Sequence, residues 1–371
     1  MNVSEPSAAP TRDSPAAWPA VSVIMPVLDE ERHLAHAVEG VLRQDYPGEL
    51  ELILAIGPSK DRTQQIADEL AAADSRVRSV PNPSGRTPSA LNAALAQAKH
   101  DIVVRVDGHG ELAAGYIATA VRLLEETGAA NVGGIMRAEG VTVFEQAVAR
   151  AMTSKLGVGN ARFHTGGQGG PSDTVYLGVF RRQVLDELGG YDEHFTRAQD
   201  WELNHRIRES GRLIWFDPSL SVTYRPRPSF RALSKQYREY GRWRRVVMRT
   251  PPGTANFRYL APPGALLAVA TGTVVGLAGL TGGPAIAVFG FVVPVGYFGA
   301  LTAGALYESR GLPAGVRARL PLVLATMHGS WAYGFLTSPA RLAKSVAGKD
   351  TGKAAVPVKS VAGPAAETAK K

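Results

Sequence analysis

"VSVIMPVLDEE", residues 21–31, is a short apolar run, β-branched at its start, that stops at Pro26 and turns acidic. This pattern predicts a buried first strand. Further predicted helices and strands alternate after it, with helices over residues 32–47 (ended by Tyr46-Pro47), 63–73 and 87–100 and strands over residues 50–57, 76–81 and 101–107. Strands and helices that alternate with short connections predict an α/β fold with a mostly parallel sheet covered by helices on both faces.

The composition narrows the possible partners of the chain. It has 371 residues, no cysteine and a formal net charge of +8, so disulfides and thiolate metal sites are excluded. Lysine and arginine concentrate in residues 225–249 and after residue 341, on either side of hydrophobic segments. This distribution favours a membrane surface over nucleic acid as the partner of the positive charge.

Two segments near the carboxyl terminus, residues 260–280 and 284–307, are apolar and uncharged. Each is long enough to cross a hydrocarbon core of about 30 Å at about 1.5 Å per residue. Residues 320–339 form a third, weaker candidate because they contain His328, Ser330 and Tyr333. A buried core helix is the alternative for each of the three segments.

The charges around these segments predict how the chain is oriented. The first 20 residues have no apolar core of a signal peptide, so we expect a disordered leader and a cytoplasmic amino-terminal domain. Three arginines between the second and third segments predict a cytoplasmic loop, which agrees with two full crossings. A third crossing would put the lysine-rich tail outside, which conflicts with the preference of positive loops for the cytoplasm. The third segment is therefore re-entrant or interfacial, or the charges of the tail do not determine on which side it lies.

These features predict five regions. We expect a disordered leader over residues 1–20, a catalytic or binding domain over 21–227, a basic amphipathic interfacial helix over 228–250, a membrane region over 260–339 and a disordered basic tail over 340–371.

Three carboxylates fall just past predicted strand ends: Asp29, Asp61 and Asp107. Ligands of open α/β sheets bind at this edge. In "RVDGHGEL", residues 105–112, Asp107 can hold a divalent cation that keeps several waters, as Mg²⁺ prefers. His109 can bind the same cation, contact a phosphate or face solvent, and Glu111 is the alternative second carboxylate.

Several stretches together carry a family resemblance. They are "VSVIMPVLDEE", "GPSKDRT" (residues 57–63), "GRTPSALNAAL" (85–95), "RVDGHGEL" and "RAQDWELNHRIRESG" (197–211). In this order they resemble family 2 glycosyltransferases, which have the GT-A fold of nucleotide-diphospho-sugar transferases. The longer runs around residues 173–215 and 235–245 are similar to membrane-associated exopolysaccharide transferases of the succinoglycan type.

The resemblance implies the roles of particular residues. It implies a Mn²⁺ or Mg²⁺ cofactor held by Asp107 and His109, and nucleotide-sugar contacts from Pro26, Asp29, Glu30, Asp61, Arg86 and Asp107. Solvated charges that open a helix are the alternative for Asp29 and Glu30, and a solvated loop residue is the alternative for Arg86. Ile56, Gly57 and Pro58 replace the usual first acids of the second loop, which leaves the nucleotide open.

Asp200 is the catalytic base that the resemblance implies, since it matches an acidic helix of the family. A carboxylate there takes the proton of an acceptor hydroxyl as its oxygen attacks the anomeric carbon with inversion. On a helix Asn204 would share its face and hold it, whereas a plain helix N-cap is the alternative role.

Arg242 and Trp243 match a motif with which processive members hold the acceptor and the diphosphate, but Glu239 departs from it. The departure favours transfer of a single sugar. Arginine and tryptophan at the headgroup level of a membrane are the alternative.

We therefore expect a membrane-anchored inverting hexosyltransferase. It would be multi-pass, with its catalytic domain in the cytoplasm, and would move a sugar from a nucleotide-diphosphate donor to a lipid-linked or growing exopolysaccharide acceptor. A polyprenyl-phosphate glycosyltransferase, which needs no base, and a non-catalytic membrane scaffold with the same fold are the alternatives. The expected partners are the donor, the acceptor and membrane lipid, without nucleic acid.

Overall fold

The computed structural model describes residues 18–250, residue 254 and residues 257–347. The predicted leader up to residue 17 and the predicted tail from residue 348 lie outside these residues. The first half of the chain alternates as predicted. Its elements are β1 (Val21–Val27), α1 (Leu34–Leu42), β2 (Leu50–Ile56), α2 (Thr63–Ala73), β3 (Val77–Pro81), α3 (Thr87–Gln97) and β4 (Ile102–Arg105).

These four strands are parallel and lie in the order β3-β2-β1-β4. Strand β4 is shorter than the sequence predicts. It ends at Arg105, so Asp107 lies in the turn beyond the strand. Adjacent residues of a strand serve opposite faces, as Val23 and Ile24 do, and each face packs against its own layer of helices.

The rest of the domain extends the sheet in mixed directions. Its elements are β5 (Glu111–Leu112), α4 (Tyr116–Thr127), β6 (Asn131–Ala138), α5 (Val143–Met152), α6 (Lys155–Val158), α7 (Arg162–Thr165), β7 (Gly170–Pro171), β8 (Tyr176–Arg181), α8 (Arg182–Glu187), α9 (Gln199–Glu209) and β9 (Ile214–Tyr224). Strand β8 is antiparallel to both β4 and β6, and β6 is parallel to β9. The predicted α/β fold of the GT-A type is confirmed, but the sheet is mixed and not mostly parallel, because the strands after β4 add antiparallel pairings.

Helices follow the sheet to the end of the described chain. They are α10 (Phe230–Arg249), a 3-10 helix (Phe257–Leu260), α11 (Ala261–Leu280), a second 3-10 helix (Ala285–Phe291), α12 (Val292–Glu308), α13 (Ala314–Leu336) and α14 (Ala340–Ala347). Helix α14 shows that the predicted disorder of the tail is wrong for its eight residues.

Two of these helical segments, Arg258–Leu280 and Ala285–Glu308, are long and apolar enough to cross a membrane. Large apolar side chains on them are exposed, among them Ile286 and Phe289. Helix α13 differs from both. Val323, Leu324 and Met327 are buried, and the helix packs against α10 and α5. For the third segment, the structure therefore favours the alternative of a buried core helix.

Candidate active site

Arg105 and Asp107 occupy the end of β4, at the carboxyl edge of the parallel strands. The side chain of Arg105 is 2% exposed. Its Nε and Nη2 atoms lie 3.3 and 3.1 Å from Oδ1 of Asp107. A buried guanidinium needs such a partner because burial of an unpaired charge is costly. The turn therefore presents a carboxylate that is tied to the strand below it.

Arg105 also forms an ion pair with Asp200. Asp200 is the second residue of α9, two residues after Ala198, whose φ of 60° is in the left-handed region. The preceding loop is fixed to α3, because Asn92 donates to the carbonyl of Tyr191 and accepts from its amide. The predicted base and the predicted metal ligand thus share one buried cation.

In α9 the structure excludes the alternative role of Asp200 as a helix cap, and it shows that the predicted contact with Asn204 is wrong. The N-cap is Ala198, so Asp200 is not a plain helix cap. Asn204 does not hold Asp200: it accepts a hydrogen bond from Asn131 at 2.8 Å and donates one to Thr174 at 2.8 Å. The side-chain amide of Asn204 is therefore hydrogen-bonded to a residue of β6 and to a residue of the loop between β7 and β8.

Arg105 keeps its positive charge although it is buried. Burial alone lowers its pKa, but the Asp107 carboxylate and nearby tyrosine hydroxyls raise it more, so the pKa lies above its ordinary value. The Tyr191 ring lies 5.9 Å from the guanidinium carbon. The sequence interpretation did not single out Arg105, which lies between the two predicted site carboxylates. A single charge inside an otherwise apolar predicted strand was the available signal.

His109 lies beside Glu30, with 2.7 Å between Nδ1 and Oε1. The hydrogen bond to Glu30 raises the pKa of His109, although burial opposes it. With Nδ1 engaged by the carboxylate, Nε2 is the ring nitrogen available to a metal or a phosphate. Histidine ligands of metals commonly have a carboxylate partner of this kind.

The donor set suits a metal that takes few protein ligands. Among residues 18–250, 254 and 257–347, no group of three or more histidine and acidic side chains forms a metal cage. Asp107 is one carboxylate at the cavity, and His109 is one imidazole beside it. Mg²⁺ usually binds through one or two carboxylates together with waters and substrate phosphates, and Mn²⁺ accepts the same oxygen ligands.

Asp29 and Asp61 accept hydrogen bonds from backbone amides of the loops after β1 and β2. The Asp29 carboxylate accepts from the Lys60 amide at 2.7 Å. Asp61 accepts from the amides of Glu31 and Thr63 at 3.1 and 3.0 Å. These bonds join the loops after β1 and β2.

An open cavity of about 2090 Å³ connects the predicted residues. Seven of the ten predicted site residues line it: Pro26, Glu30, Arg86, Asp107, His109, Asp200 and Trp243. Asp29, Asp61 and Arg242 do not. The cavity extends from the strand ends to Tyr297 of α12 and Trp331 of α13.

Arg242 and Trp243, the two residues predicted to hold the acceptor, lie in different environments. Trp243 is 6% exposed and packs near Phe195, with 6.1 Å between the ring centroids. Arg242 pairs with Glu239 at 2.9 Å on α10. The residue that departs from the processive motif therefore neutralises the arginine of the motif.

The mixed sheet therefore has a cavity at its strand ends in which the carboxylates Asp107 and Asp200 lie among many arginine and lysine side chains. Residues 22–189 match the domain described as Glycosyl transferase family 2. The chain is 33% identical over 256 residues to Succinoglycan biosynthesis protein ExoA of Rhizobium meliloti (strain 1021), covering 67% of this chain and 78% of that protein. The chain belongs to glycosyl transferase family 2.

Two other similarities agree with this membership. A dolichyl N-acetyl-alpha-D-glucosaminyl phosphate 3-beta-D-2,3-diacetamido-2,3-dideoxy-beta-D-glucuronosyltransferase of Methanococcus voltae is 26% identical over 69% of this chain and 82% of that protein. The solved mannosyltransferase PcManGT of Pyrobaculum calidifontis, in complex with GDP-Man and Mn²⁺, has a TM-score of 0.58 at 20% identity, covering 87% of this chain and 88% of that chain. The latter similarity shows the shared fold.

Proposed function

We propose that this glycosyltransferase moves a single hexose from a nucleotide-diphosphate donor to a hydroxyl of a lipid-linked or growing exopolysaccharide acceptor, with inversion. The observation that carries the proposal is the meeting of Asp107 and Asp200 at Arg105, inside a cavity that reaches the apolar helices. The similarity to a succinoglycan biosynthesis protein supports the acceptor class.

Asp200 acts as the general base in this proposal. Its carboxylate takes the proton of the acceptor hydroxyl while that oxygen forms a bond to the anomeric carbon. The bond from the anomeric carbon to the diphosphate oxygen breaks, and the nucleoside diphosphate leaves. A Mn²⁺ or Mg²⁺ ion held by Asp107, with His109 beside it, would stabilise the charge on the departing diphosphate.

The rest of the cavity binds the two substrates. Pro26, Glu30 and Arg86 line the end beside β1 and α3, where the donor nucleotide fits. Arg86 precedes the first turn of α3, and a guanidinium at a helix amino terminus suits a diphosphate. The opposite end reaches the apolar helices, which suits a lipid-linked acceptor at the cytoplasmic face of a membrane.

Hydrolysis and transfer by the full-length, detergent-purified protein test the proposal. A panel of nucleotide sugars is offered with Mn²⁺, Mg²⁺ or chelator to the wild type and to Asp107→Ala. Turnover of one donor that needs the metal and is lost in Asp107→Ala supports the proposal and names the sugar. Turnover that survives both chelation and the substitution contradicts the metal role of Asp107.

A polyprenyl phosphate is the second candidate acceptor. Arg197, Arg227 and Lys235 line the cavity on the side of α10, where they suit an anionic acceptor. A phosphate oxygen needs no general base, so this candidate predicts that Asp200→Asn retains transfer. The sugar-hydroxyl candidate predicts that the same variant loses it.

A further inference from the structure

The side chain of Arg105 is one of the most deeply buried charges of the described chain. It contacts Asp107 through Nε and Nη2 and Asp200 through Nη1. The two carboxylates come from different elements, the turn after β4 and the first turn of α9. One guanidinium therefore bridges two chain segments that meet at the cavity.

The shape of the guanidinium fixes how those segments meet. Its donors lie in one plane at fixed angles, which a lysine ammonium cannot reproduce. Helix α9 is also tied to the sheet by Asn204, which accepts a hydrogen bond from Asn131 of β6, and by the buried side chains of Leu203 and Ile207. The guanidinium therefore lies between the two carboxylates, with two hydrogen bonds to Asp107 and an ion pair to Asp200.

The charge of the guanidinium also matters. Two carboxylates that face one site without a cation oppose each other's ionisation. Arg105 leaves the group of three with a net charge of −1 instead of −2. It also repels any metal cation that approaches Asp107.

We propose that Arg105 is a positioning residue for sugar transfer: it fixes Asp200 relative to Asp107 and supplies the cation that both carboxylates share before a divalent metal binds. This inference rests on the proposed function for the roles of the two carboxylates. The inference predicts that loss of Arg105 changes sugar transfer and metal binding in opposite directions. Transfer falls because the base is misplaced, whereas metal binding tightens because a repelling charge is gone.

The test compares Arg105→Gln and Arg105→Lys with Arg206→Gln in the full-length, detergent-purified protein. Arg206 is a matched control because it pairs with Glu202 at 2.6 Å on α9 and anchors the carbonyls of Leu188 and Gly190 outside the cavity. The measurements are kcat and donor KM at saturating Mn²⁺, the binding isotherm of Mn²⁺ alone from the paramagnetic resonance of free ion, and the melting temperature.

We expect Arg105→Gln to lose about 100-fold in kcat, the typical cost of a small misplacement, with donor KM within about threefold. We expect it to bind Mn²⁺ about tenfold tighter, because one repelling unit charge is removed. Arg105→Lys keeps the charge but not the fork, so its kcat falls and its Mn²⁺ affinity stays at the wild-type value. Arg206→Gln stays within about threefold of the wild type in both measurements.

Equal kcat in Arg105→Gln and Arg206→Gln would overturn the positioning role, and Mn²⁺ affinity that is unchanged or weaker in Arg105→Gln would overturn the charge role. If Arg105→Gln does not melt cooperatively, Arg105→Lys decides, and wild-type kcat in that variant overturns the proposal. If the wild type transfers no sugar from any donor, the proposed function fails, and the Mn²⁺ isotherms alone decide the role of Arg105.

Discussion

At the scale of single residues, Asp200 gives the most direct test of mechanism. General-base catalysis contributes about 10²- to 10⁴-fold, so Asp200→Asn should lower kcat by that factor at saturating donor. Glu202→Gln is the control, since Glu202 lies two residues on and pairs with Arg206 outside the cavity. Its kcat should stay within a few-fold of the wild type. Full activity of Asp200→Asn would move the assignment to a phosphate acceptor.

Glu51 is a buried carboxylate with a structural role at the opposite edge of the sheet. It accepts hydrogen bonds from the Ser22 hydroxyl at 2.6 Å, the Lys99 amide at 2.8 Å and Arg78 at 2.9 Å. Burial alone raises the pKa of Glu51, but these hydrogen bonds outweigh it, so the pKa lies below its ordinary value of 4.5. The ionised form therefore stabilises the fold.

Because the pKa of Glu51 is lowered in the folded protein, its contribution to stability depends on pH. The stability from Glu51 is fully present above about pH 4.5 and is lost as the pH falls through the lower pKa of the folded state. At pH 7, Glu51→Gln should destabilise the protein by about 2 kcal/mol, the scale of a hydrogen-bonded charge. Melting temperatures at pH 7 and below pH 4.5 check this, with the exposed Glu49→Gln as control. If the difference in melting temperature between the wild type and Glu51→Gln is as large below pH 4.5 as at pH 7, the prediction is contradicted.

At the scale of helices, α10 and α13 approach each other so closely that only glycine fits at two points. A Cβ on Gly241 would lie 1.9 Å from the Trp331 carbonyl oxygen, and a Cβ on Gly334 would lie 2.0 Å from that of Arg238. Both clashes are with backbone, so the helices themselves must separate. Helix α10 also carries Lys235 and Trp243, which line the cavity.

Gly241→Ala should therefore destabilise the protein by about 1–3 kcal/mol, the usual cost of overpacking. It should also lower transfer, because α10 moves with its cavity-lining side chains. Gly329→Ala is the matched control on α13, since a Cβ there meets nothing within 4 Å. Melting temperature and kcat of the two variants are the measurements. Equal melting of Gly241→Ala and Gly329→Ala would show that the helices separate at little cost.

The same elements show what a sequence can predict. Apolar periodicity located β2 and α2 almost to the residue, because each buries one face or both, but it extended α3 to residue 100, beyond its end at Gln97. It did not find the pairing of Arg105 with Asp200, because partners far apart in the chain leave no local pattern. It also could not show that Asp29 and Asp61 are used by backbone amides, since that depends on how two loops meet.

At the scale of the whole molecule, helices α10 and α13 connect the domain built on the sheet to the apolar helices α11 and α12. Helix α13 is buried against α10 and α5, and it also packs against α11 and α12. The exposed apolar segments are Arg258–Leu280 and Ala285–Glu308. We therefore propose that two segments cross the membrane and that residues after α13 stay on the same side as the sheet.

The absence of cysteine from the chain allows a direct test of this topology. Single cysteines replace Thr281 between the two apolar helices, Arg310 before α13 and Thr351 in the tail. With two crossings, an impermeant maleimide should label Thr281→Cys in intact cells, but Arg310→Cys and Thr351→Cys only after permeabilisation. The cysteine-free wild type gives the background. Labelling of Thr351→Cys in intact cells would mean that α13 crosses as well, which would require it to leave its buried contacts with α10, and the cavity beside Trp331 would then have to be built differently.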